Sequence, residues 1–319
     1  MKKVLKLLAA LALALTCLSG CTNKKASIVT TSYPVKYLIQ YLAGSRASVD
    51  VIGTNEFIQR SSISSYYDNI LKSADLFVYI GELEPYMGIY ENTILSYDVD
   101  IINLASLSAV NDFKRYTTTV TSGVRVVAES PYYNSSLFDL VDTYNKDPFI
   151  WLDPIAMASM ASTLKDWLED FYPQDTLTIE NNFKTLQAAL VRLDAEYQTL
   201  RTIPDIKIVT TAATFGNWQK TYGVQVYPLT ISKYGVVPNE EQLAFIEQTI
   251  RENGVHYIVY DPTLPQDLQD LYQRVKDDLG LESITLSSLS ILSADDVDKN
   301  KDYMTIMYEN LTVLEDTFK

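Results

Sequence analysis

Between Asp175 and Leu200 the chain carries one uninterrupted apolar stripe. Phe183, Leu186, Leu190, Leu193, Tyr197 and Leu200 recur at alternating spacings of three and four residues, the period of a single helix face. Pro173 precedes the segment and Pro204 follows it, positions where proline bounds a helix without breaking it. At about 1.5 Å per residue such a helix spans roughly 35–40 Å. The stripe runs for fewer than about four heptads and has polar flanks, so it demands no coiled-coil partner. A helix of this kind between two differently patterned halves is a stiff spine.

Both halves alternate short β-rich runs with helix-length amphipathic segments. On the N-terminal side, Ser27–Thr31, Val49–Ile52, Leu76–Tyr79 and Val99–Ile102 read as strands. Helices are expected over Pro34–Leu42, Ser64–Ser73 and Pro85–Leu95. On the C-terminal side the strands are Ile206–Thr210, Val224–Pro228, His256–Tyr260 and Ser283–Leu286. Thr214–Thr221, Asn239–Asn253, Pro265–Asp278 and Lys301–Thr317 read as helices. This alternation predicts an α/β protein with two βα lobes, mostly parallel sheets, and one long helix joining them. The 319 residues suffice for two domains at roughly 100–200 residues each. The expected divisions are a leader over 1–20, an N-terminal lobe over 21–172, a linker helix over 173–203 and a C-terminal lobe over 204–319.

The first 20 residues read as a targeting segment. Lys2, Lys3 and Lys6 are basic, Val4 to Leu18 is largely apolar, and Leu18-Ser19-Gly20-Cys21 matches a bacterial lipobox. The apolar run is short for a membrane span. Cys21 is the expected lipidation site, which places the chain on the outer face of the cell membrane. Cys17 lies in the leader, so the body has no other thiol for a disulfide or thiolate site. The formal charge is −14, and an acidic body is repelled by nucleic acid and anionic lipid. No GxSxG or phosphate loop is present, and a single histidine, His256, excludes most histidine-based catalytic sets. An enzyme is not expected.

Four segments carry a family resemblance. Ile28-Val29-Thr30-Thr31-Ser32-Tyr33-Pro34 is similar to the first strand and turn of the solute-binding lipoproteins that feed zinc and manganese ABC importers. Ala74-Asp75-Leu76-Phe77-Val78-Tyr79, Gly81 and Leu83-Glu84-Pro85 resemble that family's ADLxxxxG…LEP signature. Asp147-Pro148-Phe149-Ile150-Trp151-Leu152-Asp153-Pro154 resembles its DPHxWLDP segment. Val209-Thr210-Thr211 with Phe215-Gly216 resembles VTSHxAFGY. The resemblance implies a metal held between the lobes by three histidines and a carboxylate, and an ABC permease and its ATPase as partners.

Carried over position by position, the first histidine falls on Gln59, the second on Phe149, the third on Ala212 and the carboxylate on Ser287. A borderline cation needs imidazole nitrogen or carboxylate oxygen to offset its dehydration. An amide and a hydroxyl are weak donors; a phenyl and a methyl are none. No metal and no other cofactor is therefore expected with assurance at this cleft, although the family binds zinc or manganese. Asp296–Asp302 imitates the start of a calcium loop but has Lys301 at the glycine position and Met307 at the bidentate position, so a solvated loop is expected. Glu56 and Asp153 lie near the cleft in this alignment, and Asp153 is expected to cap a helix starting near Pro154.

The chain has 23 tyrosines. Tyr66 and Tyr67 follow the first vacated position, Trp218 follows the third, and Tyr234 follows a second-lobe strand. Aromatic faces with hydroxyl tips suit a small organic or cationic ligand, or they fill the space left by the missing ligands. The expected function is a lipid-anchored, monomeric solute-binding protein of the metal-import type with a degenerate metal site. The alternatives are a non-transport surface lipoprotein, acting as an adhesion or regulatory partner, and a binder of a small organic ligand in a tyrosine-rich cleft.

Overall fold

The computed structural model describes residues 24–319 except 55, 56, 109, 122 and 123. Cys21 and Glu56 lie outside the described residues. Two four-stranded sheets, each wholly parallel, form the lobes. The first contains β1 (Ala26–Thr30), β2 (Ala47–Val51), β3 (Leu76–Tyr79) and β4 (Asp100–Asn103), in the order β2-β1-β3-β4. Its helices are α1 (Tyr33–Ala43), α2 (Tyr67–Lys72) and α3 (Met87–Ile94). β3 is apolar throughout and buried at every residue, as expected for a parallel strand covered on both faces.

A hairpin, β5 (Arg115–Thr121) with β6 (Val124–Ser130), follows the first sheet. Next come α4 (Pro154–Phe171) and the spine α5 (Thr176–Tyr197). Asp153 caps α4 as its sequence implies, its Oδ1 accepting from the N–H groups of Ile155 and Ala156 at 2.9 and 3.1 Å. Proline at the next position loses no helical hydrogen bond. Ile179, Phe183, Leu186, Leu190, Leu193 and Tyr197 are the buried stripe of α5, which continues as a 3₁₀ turn through Thr202.

The second sheet is built from β7 (Lys207–Ala212), β8 (Gln225–Thr230), β9 (Tyr257–Tyr260) and β10 (Glu282–Thr285), ordered β10-β9-β7-β8. Between them run α6 (Gly216–Tyr222), α7 (Glu240–Glu252) and α8 (Gln266–Leu279), and α9 (Ala294–Asp298) and α10 (Tyr303–Phe318) close the chain. α7 starts with a capping box between Asn239 and Gln242, which satisfies two otherwise free N–H groups.

In the calcium-like segment residues 296–298 close α9, 299 and 300 form an exposed turn, and 301 and 302 lead into α10. Asp296 is buried and caps α9 reciprocally with Ser293. Asp302 caps α10 through the N–H of Thr305. Both carboxylates are already used by helix ends.

One apolar core runs through both lobes, with α5 and α10 inside it. The Tyr197 hydroxyl donates to the Met307 carbonyl at 2.7 Å, so the spine is fixed to the last helix. A smaller core lies on the far side of the first sheet around Phe77, Tyr79 and Tyr86. Leu190 is fully buried, whereas its neighbour Val191 is 51% exposed. Leu190→Ala is expected to cost about 2–5 kcal/mol in denaturant unfolding, and Val191→Ala to stay within about 0.5 kcal/mol of wild type. Equal costs would contradict the assignment of the buried face.

Candidate functional site

A parallel sheet places all its strand C-termini on one edge, where ligands of open α/β sheets bind. In this chain those ends are rich in hydroxyls: Thr30 ending β1 with Thr31 and Ser32 after it, Thr210 and Thr211 near the end of β7, and Thr230 ending β8. All six are buried, and none of their oxygens has a hydrogen-bond partner among the described residues. Buried polar side chains are ordinarily satisfied. Their concentration on one edge of each sheet marks it as the place where a polar guest or ordered water belongs.

The loops after these strands meet at a seam. Gln59, after β2, donates from Nε2 to the Ser232 carbonyl after β8 at 3.0 Å, which leaves its Oε1 unpartnered. Arg60 donates from Nε to the Gly235 carbonyl at 3.2 Å. It also reaches both carboxylate oxygens of Asp267, in the first turn of α8, at 2.7 and 2.9 Å. The Tyr144 hydroxyl donates to the Leu83 carbonyl at 2.9 Å and lies 3.3 Å from the Lys233 carbonyl. A Cβ on Gly235 would sit 2.8 Å from the Phe57 ring, and its φ is +62°, so this close approach requires glycine.

Phe149 is fully buried, edge-to-face with Tyr144 at 6.0 Å and with Trp151 at 5.4 Å between centroids. Tyr144 touches the Gln59 end of this row, and the Trp151 indole donates to the Ser288 carbonyl at 2.9 Å. Thus the row of rings leads from Gln59 to the residue next to Ser287. Ala212, buried, ends β7. Ser287 is bound through its backbone to the Asn310 amide and lines a separate hollow with α9 and α10. His256 is exposed, just before β9, at the sheet edge opposite the seam.

Of the aromatics expected at the cleft, Tyr234 lines the seam. Two hollows, of about 340 and 420 Å³, share Pro85 and Tyr234 as lining. Trp218 is instead a core residue, fully buried against Tyr197 and Phe215 with its indole donating to the Leu152 carbonyl at 2.9 Å. Its place on α6 turns it away from the Ala212 end of β7. Tyr67 packs edge-to-face on Tyr90, and Tyr66 is 70% exposed.

Two carboxylates at the seam escaped the sequence reading as functional groups, although Leu83-Glu84-Pro85 and Asp147-Pro148 were visible as motifs. Glu84 is 1% exposed and neither oxygen is hydrogen-bonded. Burial pushes its carboxyl up to about 8, offset in part by the Thr31 hydroxyl, which lies beside it without the geometry of a full hydrogen bond. Asp147 accepts from the Phe149 N–H at 3.0 Å, and burial pushes its carboxyl up to about 7. Gly216 is needed beside it, because a Cβ there would fall 2.3 Å from Asp147 Oδ2.

Among the described residues no grouping of three or more His, Cys, Asp or Glu side chains is placed to hold a metal. Gln59, Phe149, Ala212 and Ser287 offer one amide oxygen and one hydroxyl, too few strong donors for zinc or manganese.

Glu84 and Asp147 ordinarily titrate at 4.5 and 3.8. The folded protein keeps their protons where the unfolded chain releases them. Their contribution to stability is whole below the unfolded values and is lost as pH rises through the folded ones. Stability is therefore expected to fall between about pH 4 and pH 8. Glu84→Gln should reduce that slope by up to about 1.4 kcal/mol per pH unit over about pH 5–7. Identical slopes for wild type and variant in urea titrations would contradict the buried-acid account.

The model of the family described as ZnuA, zinc-uptake complex component A, periplasmic, matches residues 28–317. The zinc-binding lipoprotein AdcA of Streptococcus pneumoniae is 24% identical over 330 residues, covering 99% of this chain and 61% of that protein. The chain thus spans about three fifths of that relative's length. The high-affinity zinc uptake system protein ZnuA of Bacillus subtilis is 22% identical, covering 92% of this chain and 88% of that one. The structure of the laminin-binding protein Lmb of Streptococcus agalactiae, described as bifunctional with adhesin and metal-transporting activity, aligns with a TM-score of 0.72 at 19% identity. That alignment covers 92% of this chain and all of the other. At such identity the structural likeness establishes the two-lobed fold, and the match over residues 28–317 establishes the membership: this chain belongs to the ZnuA family of transport solute-binding proteins, which are not enzymes.

Proposed function

We propose that this protein is the lipid-anchored, extracytoplasmic solute-binding component of an ABC import system, working as a monomer with a permease and its ATPase. In this reading its seam no longer takes a metal in the family's manner. Phe149 carries the proposal: a phenyl ring stands where the DPHxWLDP pattern has its histidine, and it is packed edge-to-face between Tyr144 and Trp151. Gln59, Ala212 and Ser287 are the other substituted positions in this reading, and no resident cofactor is assigned. The buried hydroxyls and the two raised carboxyls favour a small organic solute over a divalent cation. Attachment is assigned to lipid on Cys21 from the Leu18-Ser19-Gly20-Cys21 pattern, in keeping with the lipoprotein description of AdcA.

Isothermal titration of metal-stripped protein with zinc and manganese tests the first point. The expected result is weak, salt-sensitive association at about millimolar, or about 4 kcal/mol. Stoichiometric submicromolar binding that disappears on mutating seam residues would falsify the reading. Replacing Cys21 by alanine tests the second. The variant is expected to be released or left unprocessed, and a processed variant that still fractionates with membrane would remove the anchor.

A non-transport surface role is the second reading. It is favoured by the closed seam at Gln59 and Arg60 and by the adhesin activity stated for the Streptococcus agalactiae protein.

A further inference from the structure

Glu84 stands out among the buried polar groups because it alone brings a titratable charge with no partner on either oxygen. It lines the hollow of about 340 Å³ at the seam, together with Tyr79, Glu82, Glu91, Asn103, Lys233 and Tyr234. Pockets of this size hold small solutes and fix them with a few placed polar groups.

The free polar atoms near this hollow are mostly acceptors. Both Glu84 oxygens and the Gln59 Oε1 are unused, while the Gln59 amide nitrogen is committed to the Ser232 carbonyl. The hydroxyls of Thr31 and Tyr86 are also unpartnered and able to play either part. The Asn103 Oδ1, by contrast, is occupied by the N–H groups of Gly81 and Ala105. Lys233 is the one cation in the lining. Its ammonium lies over the Tyr234 ring, 5.3 Å from the centroid, and it forms no ion pair among the described residues. Arg60, in the neighbouring hollow, is engaged by Gly235 and Asp267. The lining thus has three carboxyl groups, Glu82, Glu84 and Glu91, against one ammonium, Lys233, which pairs with none of them among the described residues.

We propose that this hollow binds a small solute through a protonated amine or guanidinium, with Glu84 as its counter-charge and the rings of Tyr79 and Tyr234 as walls. A buried charge pair is favourable only when its remaining valences are hydrogen-bonded; the Thr31 hydroxyl lies beside Glu84, and Gln59 and Tyr86 line the adjoining hollow. The tyrosine faces add attraction for a desolvated cation. Glu82 and Glu91, at the exposed side of the hollow, give the approach a negative potential that favours cations. The inference rests on the reading of this chain as a solute-binding protein whose seam has lost its metal donors, and it gives that solute a charge.

The test compares ligands that differ in charge and little else. Full chain in detergent, at fixed ionic strength, is melted with 1,4-diaminobutane or 1,4-butanediol, and with arginine or citrulline, each at about 10 mM. At least one cation is expected to raise the midpoint by about 3 °C, and its neutral counterpart to leave it unchanged. Glu84→Gln should abolish the shift, Glu82→Gln should keep it, and Tyr234→Ala should weaken the affinity roughly fivefold. Equal shifts from charged and neutral members overturn the proposal, as does a full response from Glu84→Gln or no response to either cation. Zinc titration of the same preparation separates the two readings. Weak zinc binding with no cation response removes only this inference, whereas submicromolar zinc binding at the seam removes the metal-poor reading beneath it.

Discussion

Trp151 joins three parts of the molecule that the chain brings from far apart. Its indole N–H donates to Ser288, beyond the last strand of the second sheet, at 2.9 Å. Its carbonyl accepts from the Tyr303 hydroxyl at the start of the last helix, at 2.7 Å. Its ring meets Phe149 at 5.4 Å. All of these groups are buried, so each hydrogen bond is one that would be costly to leave unmade. Tyr303 in turn lies 5.4 Å from Tyr37 on the first helix of the first lobe. The two lobes are thus held in one relation by a dry, bonded aromatic cluster at their base. The ends of their sheets face a common seam because that base is fixed. A histidine at position 149 would have to keep an unprotonated nitrogen directed into this cluster to serve a metal, whereas phenylalanine extends the cluster without a polar atom.

Above this base the molecule retains many polar groups that its own fold does not satisfy. Six buried hydroxyls and the Glu84 carboxyl have no partner within the protein among the described residues, which is not the lining of a filled, apolar cleft. The substitution of the metal positions therefore does not read as simple closure. Phe149 sits against the base, while Ala212 ends β7 beside Thr210 and Thr211, among the polar groups that gather where β1, β3, β7 and β8 end. On the proposed reading, coordinating side chains are missing from one part of the seam while hydrogen-bonding groups remain in another.

The architecture was legible where one period dominates. The stripe from Phe183 to Leu200 has helical spacing and becomes the spine. Asp153-Pro154 is a helix start by chemistry alone, and Leu76–Tyr79 is a strand because a short apolar run next to turns has few other uses. The hairpin over residues 115–130 was not legible, because what holds it is distant. Arg115 stacks over Tyr227 at 3.9 Å, and Gln219 bonds to the backbone of Lys114. Sequence proximity to a vacated position also misled. Trp218 lies six residues after Ala212, but one turn of α6 carries it into the core. Asp296 and Asp302 look like ligands in a row and act as caps on successive helices. Glu84 could be read as part of a motif, but its isolation could not, because loops from both lobes create it.

On the proposed reading, a solute enters past the loop that the seam holds. Gln59 and Arg60 belong to one 3₁₀ turn, Ile58–Arg60, and both grip the 232–235 loop. Lys233 is held from the other side, its N–H donating to the Asp142 carbonyl at 2.8 Å. Tyr234 lies between these anchors and is 41% exposed. The Arg60–Asp267 pair is partly exposed, with side chains at 31% and 51%, and a pair of that kind contributes about 1 kcal/mol or less. A guest shifts a protein only by the difference in its affinity for the two arrangements. On the proposal made above, that difference would originate at Glu84, and the loop carrying Tyr234 is the element that a guest in the hollow would touch.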